Sequence, residues 1–234
     1  MSDKISNIDK VYLKSIPELF DGKGWHGKGT PLEVFNRESL KEVLWNYSFK
    51  PAGIQLPDGT FHPTGEIYAV ADDNGLPISS AVSTRYNTPN NEKLFEVFSA
   101  ALVGSEYGIC SAGTLNQREE FFIDAKGVTV SAAGREIAPY VGISRSFGGY
   151  SKVMCGGHVT VIQCGNPYAI IRREMQRDEN LTASIRNIGN VDDRIPEFQK
   201  AIEQQHGIRG QFIRAFEASA KVMVPIDTAR KAFT

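Results

Sequence analysis

Residues 140–167 of this chain read YVGISRSFGGYSKVMCGGHVTVIQCGNP, and this stretch decides the fold. Its β-branched residues, among them Ile143, Val153 and Val159, suit the pleated, half-buried surface of a strand. Two glycine pairs, at 148–149 and 156–157, are points where the backbone can bend or take a positive φ. The stretch therefore predicts two β-strands with a glycine-rich turn region.

Further strands are predicted on the N-terminal side of this hairpin. Pro57-Asp58-Gly59 and Asp72-Asp73-Asn74-Gly75 are turn signals, because proline presets φ and glycine accepts a positive φ. The segments that these turns separate favour extended structure. The predicted strands cover residues 66–70, 76–86, 108–115 and 119–125, with a short one at 128–131.

Helices are predicted where apolar residues recur with a period near 3.6. Thr30 would cap a helix over residues 31–47, and Asn90 would cap a second over 91–104. A third would follow Pro167 over residues 168–179. The last would span 195–224, with an interruption near 207–210. These elements predict a single α+β domain over residues 1–234, with residues 1–20 as an N-terminal arm, an antiparallel sheet of hairpins, packed helices and a long C-terminal helix.

The composition is that of a globular protein whose core needs no disulfide or structural metal to stabilise it. Hydrophobic residues make up 41% and charged residues 23% of 234 residues. The three cysteines, at positions 110, 155 and 164, are an odd number and are expected to be free thiols. The polar N-terminus has no signal core, and no apolar run approaches the ~18 residues of a membrane span. We expect a cytoplasmic protein without membrane contact.

Charge is distributed unevenly along the chain, although the net charge is only −1. Residues 1–134 contain 12 basic and 17 acidic residues, whereas residues 135–234 contain 14 and 10. An anionic partner would therefore meet the second half of the chain. The alternative is that two faces of one fold differ in charge.

Signatures of catalysis are missing from the sequence. There is no G-x-S-x-G elbow, no H-E-x-x-H and no P-loop, which favours a role other than that of an enzyme. Cys155 and His158, with Cys164, are the sharpest metal candidates, but residues an odd number apart on a strand face opposite sides. We therefore predict small residues packing a strand, with no metal and no cofactor. Trp25 and His26, in a glycine-rich loop, are either a ligand clamp or a packed tryptophan beside a structural histidine.

Basic and aromatic residues of the hairpin and of the helix after it are the functional lead. Guanidinium groups bind phosphates bidentately, and aromatic rings stack on unpaired bases. The predicted nucleic-acid-binding residues are Arg145, Phe147, Tyr150, Lys152, Arg172, Arg173, Arg177 and Arg186. The alternative is a solvated helix face, because Glu174, Asp178 and Glu179 lie among the arginines and could pair with them.

Several motifs, in their order, resemble those of one known family. They are Trp25-His26-Gly27-Lys28-Gly29, Ser83-Thr84-Arg85-Tyr86-Asn87 followed by Asn91-Glu92, Ala112-Gly113-Thr114-Leu115, Ser146-Phe147-Gly148-Gly149, Val161-Ile162-Gln163-Cys164-Gly165-Asn166 and Ile185-Arg186-Asn187. From about residue 24 to 233 the chain resembles the phage- and plasmid-type proteins of the domain-of-unknown-function family numbered 932. Members often have histidine and aspartate where Phe147 and Gly148 stand, and histidine where Asn187 stands, so these departures lower the expectation of catalysis.

The resemblance implies a setting rather than a mechanism, because the family has no settled activity. Its members belong to mobile elements of bacteria, where replication, recombination and counter-defence genes cluster. The leading hypothesis is a homo-oligomeric DNA-metabolism protein that binds single-stranded DNA in the bacterial cytoplasm, as in strand annealing or recombination. The alternatives are an enzyme acting on a nucleotide or nucleic acid, and a counter-defence protein that binds a host protein or a nucleotide messenger.

Overall fold

The computed structural model describes residues 18–20, 30–75, 77–115, 119–132, 135–147, 152–161, 183–187 and 190–220. Two sheets and two α-helices in these residues confirm the predicted α+β class and the C-terminal helix. The strands are β1 (Glu18–Phe20), β2 (Thr30–Pro31), β3 (Ser48–Gln55), β4 (Phe61–Ala71), β5 (Pro77–Ser83), β6 (Gly108–Leu115), β7 (Glu120–Lys126), β8 (Val130–Ala132), β9 (Arg135–Ser146), β10 (Lys152–Val161) and β11 (Ala183–Arg186). The helices are α1 (Asn91–Leu102) and α2 (Ile195–Ala220), and a 3-10 turn at Asp192–Arg194 leads into α2.

The larger sheet has the strand order β11-β10-β9-β7-β6-β1-β2, and β8 also pairs with β9. Its pairs are antiparallel except β1 with β2. The β9–β10 pair is the predicted hairpin, with Arg145 opposite Val153 and Ile143 opposite Cys155. Ile143, Val153 and Cys155 are fully buried, so the β-branched residues of this stretch supply the core face of the sheet.

The smaller sheet consists of β3, β4 and β5, joined by the two predicted turns. Gly59 and Gly75 have φ of +86° and +79°, which explains why each turn contains a glycine. The far end of the β3–β4 hairpin stands clear of the core, and Ile54 and Phe61 there are 64% and 54% exposed. The near end, around Val70, is buried.

The main core lies between the larger sheet and the two helices. Helix α1 begins as predicted, because the Asn90 side chain accepts a hydrogen bond from the Lys93 amide at 2.7 Å. Leu94 and Phe98 of α1 and Ile202 of α2 are at most 1% exposed. Both helices therefore bury one face against the sheet.

The helix predicted over residues 31–47 is wrong. Thr30 lies in β2, and the chain forms successive turns between Asn36 and Leu44. Asn36 and Ser39 exchange hydrogen bonds between side chain and backbone, which starts a local turn. Leu40 and Val43 are still fully buried, so a series of turns places these periodically spaced apolar residues in the core where a helix was expected.

The predicted interruption of the last helix is also wrong, because α2 is continuous from Ile195 to Ala220. A glycine inside a helix costs about 1 kcal/mol relative to alanine, which does not by itself break a long helix whose first half packs on the core through Phe198 and Ile202. The predicted helix over residues 168–179 lies outside the described residues, and so does the N-terminal arm except for β1. Within the part of the chain that the structure describes, no helix is long and apolar enough to cross a membrane.

Candidate functional site

Arg145 lies on the core face of β9 and is only 1% exposed. Its cross-strand partner is Val153, which in turn pairs with Ile185 of β11, and both of these residues are buried. Phe147 is fully buried as well. The prediction that these two side chains belong to an exposed nucleic-acid surface is therefore wrong, because the sheet alternation turns them inward.

The guanidinium of Arg145 binds the start of helix α1. Its Nη1 donates to the Pro89 carbonyl at 3.1 Å, and its Nη2 donates to Oδ1 of Asn91. The Asn91 side chain in turn donates to the Val43 carbonyl at 2.7 Å. Arg145 thereby connects the larger sheet, helix α1 and the chain that enters the smaller sheet.

Four aromatic rings surround the same guanidinium. Its carbon lies 3.8 Å from the centre of the Phe147 ring, and 5.9, 5.7 and 5.9 Å from the rings of Trp45, Tyr47 and Phe121. Desolvation lowers the pKa of Arg145 to about 10, so the group remains charged at neutral pH. A buried cation held by carbonyl oxygens and ring faces forms the junction of the two sheets.

Tyr47 extends this junction towards the surface. Its hydroxyl donates to the Thr88 carbonyl, and burial raises its pKa above the usual value. Its ring contacts Phe147 and Phe49 edge to face, with centroids 5.1 and 5.5 Å apart. The contact fixes the segment that precedes α1 against the base of the smaller sheet.

A cavity of about 430 Å³ opens beside Tyr47. Its lining is rich in amide side chains and includes the start of α1. The segments before β3 and before and within α1 supply Asn46, Tyr47, Asn87, Thr88, Asn90 and Lys93. Val191 and Asp192, ahead of α2, close the other side. Its size is within the range of small-molecule sites, whereas most of its lining side chains are polar.

A second surface combines an exposed ring with exposed cations. Phe49, 39% exposed, lies 6.2 Å from the Tyr86 ring, and the Tyr86 hydroxyl accepts a hydrogen bond from the Asn187 side chain at 3.2 Å. Asn187 follows Arg186, which is exposed and stands opposite the half-buried Lys152. We call Phe49, Arg85, Lys152, Arg186 and Arg194 the cation–aromatic surface, in which Lys152 and Arg186 share one sheet face and Phe49 lies on the side of Tyr86 and Asn187.

Arg194 contacts Arg186 directly, whereas Arg85 is connected to this surface only through its neighbours in sequence. Arg194 donates to the Arg186 carbonyl at 3.5 Å, and Arg85 precedes the Tyr86–Asn87 segment, whose Asn87 amide donates to the Asn187 carbonyl at 3.0 Å. Within the described residues, none of the four cations of the cation–aromatic surface forms an ion pair with a carboxylate. Their charge is therefore available to a partner.

The structure thus separates the predicted binding residues that it describes into two groups on opposite sides of the larger sheet. Lys152 and Arg186 come together on the sheet face opposite to Arg145 and Phe147. The other members of the predicted set lie outside the described residues, as does the loop with Trp25 and His26. Those members are Tyr150, Arg172, Arg173 and Arg177.

The candidate metal ligands Cys155, His158 and Cys164 lie only partly within the described residues. The Cys155 side chain is fully buried in the core, which fits the expected packing role. Cys164 is outside the described residues, and the His158 side chain is not described. Among the described residues, no group of three or more His, Cys, Asp or Glu side chains could hold a metal ion.

Comparison with known proteins does not extend these observations. No family model, no curated protein and no solved structure matches the chain.

Proposed function

We propose that the protein binds single-stranded nucleic acid on the cation–aromatic surface. The observation that carries the proposal is the pair Lys152 and Arg186, which stand opposite each other on neighbouring strands and form no ion pair within the described residues. The exposed Phe49 ring takes the stacking role that the sequence analysis gave to Phe147, which is buried. A base can stack on the ring while the cations receive phosphates.

The chemistry of this surface suits a strand without a partner. Base–aromatic stacking contributes about 1–3 kcal/mol per base and does not depend on sequence, because every base has a π-face. Arginine guanidiniums bind phosphate oxygens in pairs. Together these contacts hold the backbone and one base face and leave base edges free, which is what annealing to a second strand requires.

The net charge of −1 restricts how such binding can work. A chain without a general positive charge cannot coat nucleic acid through its whole surface, so attraction must be local. The affinity should then depend on a small number of cations. Function in phage- or plasmid-type recombination, and assembly of several copies along a strand, follow from the family resemblance and are part of the same proposal.

Fluorescence anisotropy with a labelled oligothymidine over a salt series tests the cationic half. For single strands, the slope of log affinity against log salt is about −0.7 per neutralised phosphate. The double variant K152A/R186A should reduce the slope by roughly 1.4 on that basis. The matched control is K41A, because Lys41 is exposed but already lies 3.1 Å from Glu38. Equal slopes in the two variants, or no binding by the unaltered protein at low salt, would overturn the proposal.

The proposed stacking of a base on Phe49 can be tested against a control residue on the same hairpin. Phe49→Leu should weaken binding about 5- to 150-fold, as expected for loss of one stacked base of ~1–3 kcal/mol. Phe61 is more exposed than Phe49 and lies at the other end of β3–β4, about 20 Å along the strand. Phe61→Leu should leave the affinity unchanged. A loss of the same size in both variants would show that exposed apolar area matters and not this surface.

A further inference from the structure

We propose that the far end of the β3–β4 hairpin is the surface through which two copies of this chain associate. We call residues 53–67, which comprise the end of β3, the turn and the start of β4, the β3–β4 arm. All fifteen of these residues are exposed. The proposed function includes association of copies but assigns no surface to it, and the arm supplies one that can be tested without nucleic acid.

The arm extends beyond the rest of the smaller sheet. Strand β4 pairs with β5 only between Ile67 and Ala71, whereas its pairing with β3 continues outward to Gln55 and Phe61. Beyond Ile67 the sheet is therefore a two-stranded hairpin, and such a hairpin is only marginally stable by itself in water. A partner that covers the arm would stabilise it.

Large apolar side chains are concentrated on the arm. Of the nine exposed large hydrophobic residues in the described part of the chain, four lie on the arm, namely Ile54, Leu56, Phe61 and Ile67. Phe61 stands opposite Gln55, the neighbour of Ile54, so Phe61 and Ile54 lie on opposite faces. The Phe61 ring lies over Gly53, where a Cβ would come within 2.6 Å of the ring Cζ atom. Both faces thus present apolar area of the kind that marks interaction sites.

The open edges of the arm do not favour pairing with a further strand. Pro51 of β3 stands opposite Tyr68, and Pro63 of β4 stands opposite Gly53. A proline in a sheet turns its nitrogen, which has no hydrogen to donate, towards the unpaired edge. One proline therefore blocks the outer edge of β3 and the other blocks that of β4. A partner would contact the faces of the arm and would not extend the sheet.

The charges of the arm favour a second copy over a polyanion. Asp58 and Glu66 are its two full charges, and both would be repelled by nucleic acid or by an anionic membrane. Two arms packed antiparallel keep the two Asp58 turns at opposite ends. Each turn then approaches the base of the other hairpin, where the exposed Lys50 lies.

The available area decides how the arms pack. A standard interface buries about 800 Å² on each partner through about 20–30 residues, so fifteen residues from each of two copies bury roughly 1,000 Å² in total, the lower limit for a specific interface. Covering one face alone would bury about half of this area, which is less than a stable dimer needs. Each arm therefore lies between the arm and the body of the other copy, which covers both apolar faces.

Sedimentation velocity of the intact chain without nucleic acid, over a series of protein concentrations, tests the association. We expect a monomer–dimer equilibrium with a Kd in the micromolar range, as suits an interface of the smallest specific size. Ile54→Thr and Phe61→Thr should each raise the Kd about tenfold or more, because each removes apolar area from one face and occurs twice in the dimer. Threonine keeps the strand propensity, so the arm should still form.

The matched control is Val34→Thr, because Val34 is 61% exposed, against 64% for Ile54, and lies outside the arm. This variant should have the Kd of the unaltered chain. Phe61→Leu, the control for strand binding, keeps an apolar side chain and should raise the Kd less than Phe61→Thr does. Hydrogen exchange locates the contact without any substitution, since the amides of residues 53–67 should become more protected as the dimer fraction rises.

Three results would overturn the proposal. They are a chain that remains monomeric into the millimolar range, a Kd that Val34→Thr raises as much as Ile54→Thr does, and arm protection that does not change with the dimer fraction. Because no nucleic acid is present, a failure of strand binding has no effect on any of these measurements.

Discussion

Replacement of Arg145 by methionine measures what the buried cation contributes to the fold. Methionine approximates the volume of the arginine stem and keeps apolar contact with the four rings, but it cannot donate to the Pro89 carbonyl or to Asn91. It also removes the cost of burying a charge. The change in the free energy of unfolding therefore shows whether the stabilisation from the hydrogen bonds and cation–π contacts exceeds the free-energy cost of burying the charge.

The magnitudes come from the contacts already described. Two hydrogen bonds from a charged donor contribute about 1.5–3 kcal/mol each, and a desolvated cation–π contact about 2 kcal/mol. Against them, a pKa lowered from 12.5 to about 10 corresponds to a burial cost of about 3 kcal/mol, since each unit is about 1.4 kcal/mol. Below pH 10 the group is charged in both the folded and the unfolded chain, so this cost is fully present at neutral pH. The net loss for Arg145→Met is about 3 kcal/mol.

Urea unfolding followed by circular dichroism at pH 7 gives the free energy of unfolding, and a loss of this size lowers the Tm by about 6–12 °C in a chain of this length. Arg145→Ala should lose about 2 kcal/mol more, because it also leaves a cavity. The control is Arg37→Met, which removes a 73% exposed side chain paired with Glu92 and should change stability by less than about 1 kcal/mol. If Arg145→Met were as stable as the unaltered chain, desolvation would outweigh the bonds and the reasoning would be refuted.

The remaining predictions concern one close approach in the larger sheet and one turn. Gly142→Ala should destabilise the fold by about 1–3 kcal/mol in urea unfolding, because its methyl group would overlap the buried carboxylate of Asp124. The control Gly108→Ala should be neutral, because its methyl group meets open space. Equal losses of stability in the two variants would contradict this prediction. The Asp58 carboxylate accepts hydrogen bonds from the Thr60 side chain and backbone, which lower its pKa below the usual 3.8. Its contribution to stability is present above pH 3.8 and is lost as the pH falls through the lowered pKa. Thr60→Val should move the pKa back upwards in an NMR titration, and an unchanged value would exclude the side-chain bond as the main cause.

Local chemistry in the sequence was sufficient to predict the hairpins and the start of helix α1. An aspartate–glycine turn needs a positive φ at the glycine, and Asn90 satisfies a helix amide without any help from distant residues. The C-terminal helix was likewise predictable from its apolar period, and the β9–β10 pair from its β-branched residues and glycine pairs. The turns and the helix cap depend on neighbours within a few positions, and the β9–β10 pair joins segments that are close in the chain.

The burial of Arg145 could not be predicted in this way. Arginine is almost never fully buried without partners, and its partners here, Pro89 and Asn91, lie more than 50 residues away in sequence. A usable signal was nevertheless present. Trp45, Tyr47 and Phe49 alternate, and an extended segment with that spacing places three rings on one side. Those rings surround the cation or flank it, and the most exposed of them forms the surface proposed for strand binding.

The partial exposure of the β3–β4 hairpin has a consequence for motion. Its near end shares the aromatic contacts of Tyr47 and Phe49 with the core, while both faces of its far end meet water. Opening of the far end breaks few apolar contacts and therefore needs much less free energy than unfolding of the whole domain. The β3–β4 pair thus combines an anchored base with a tip that can change shape independently. Single-stranded nucleic acid bound at the base would leave that tip free to move.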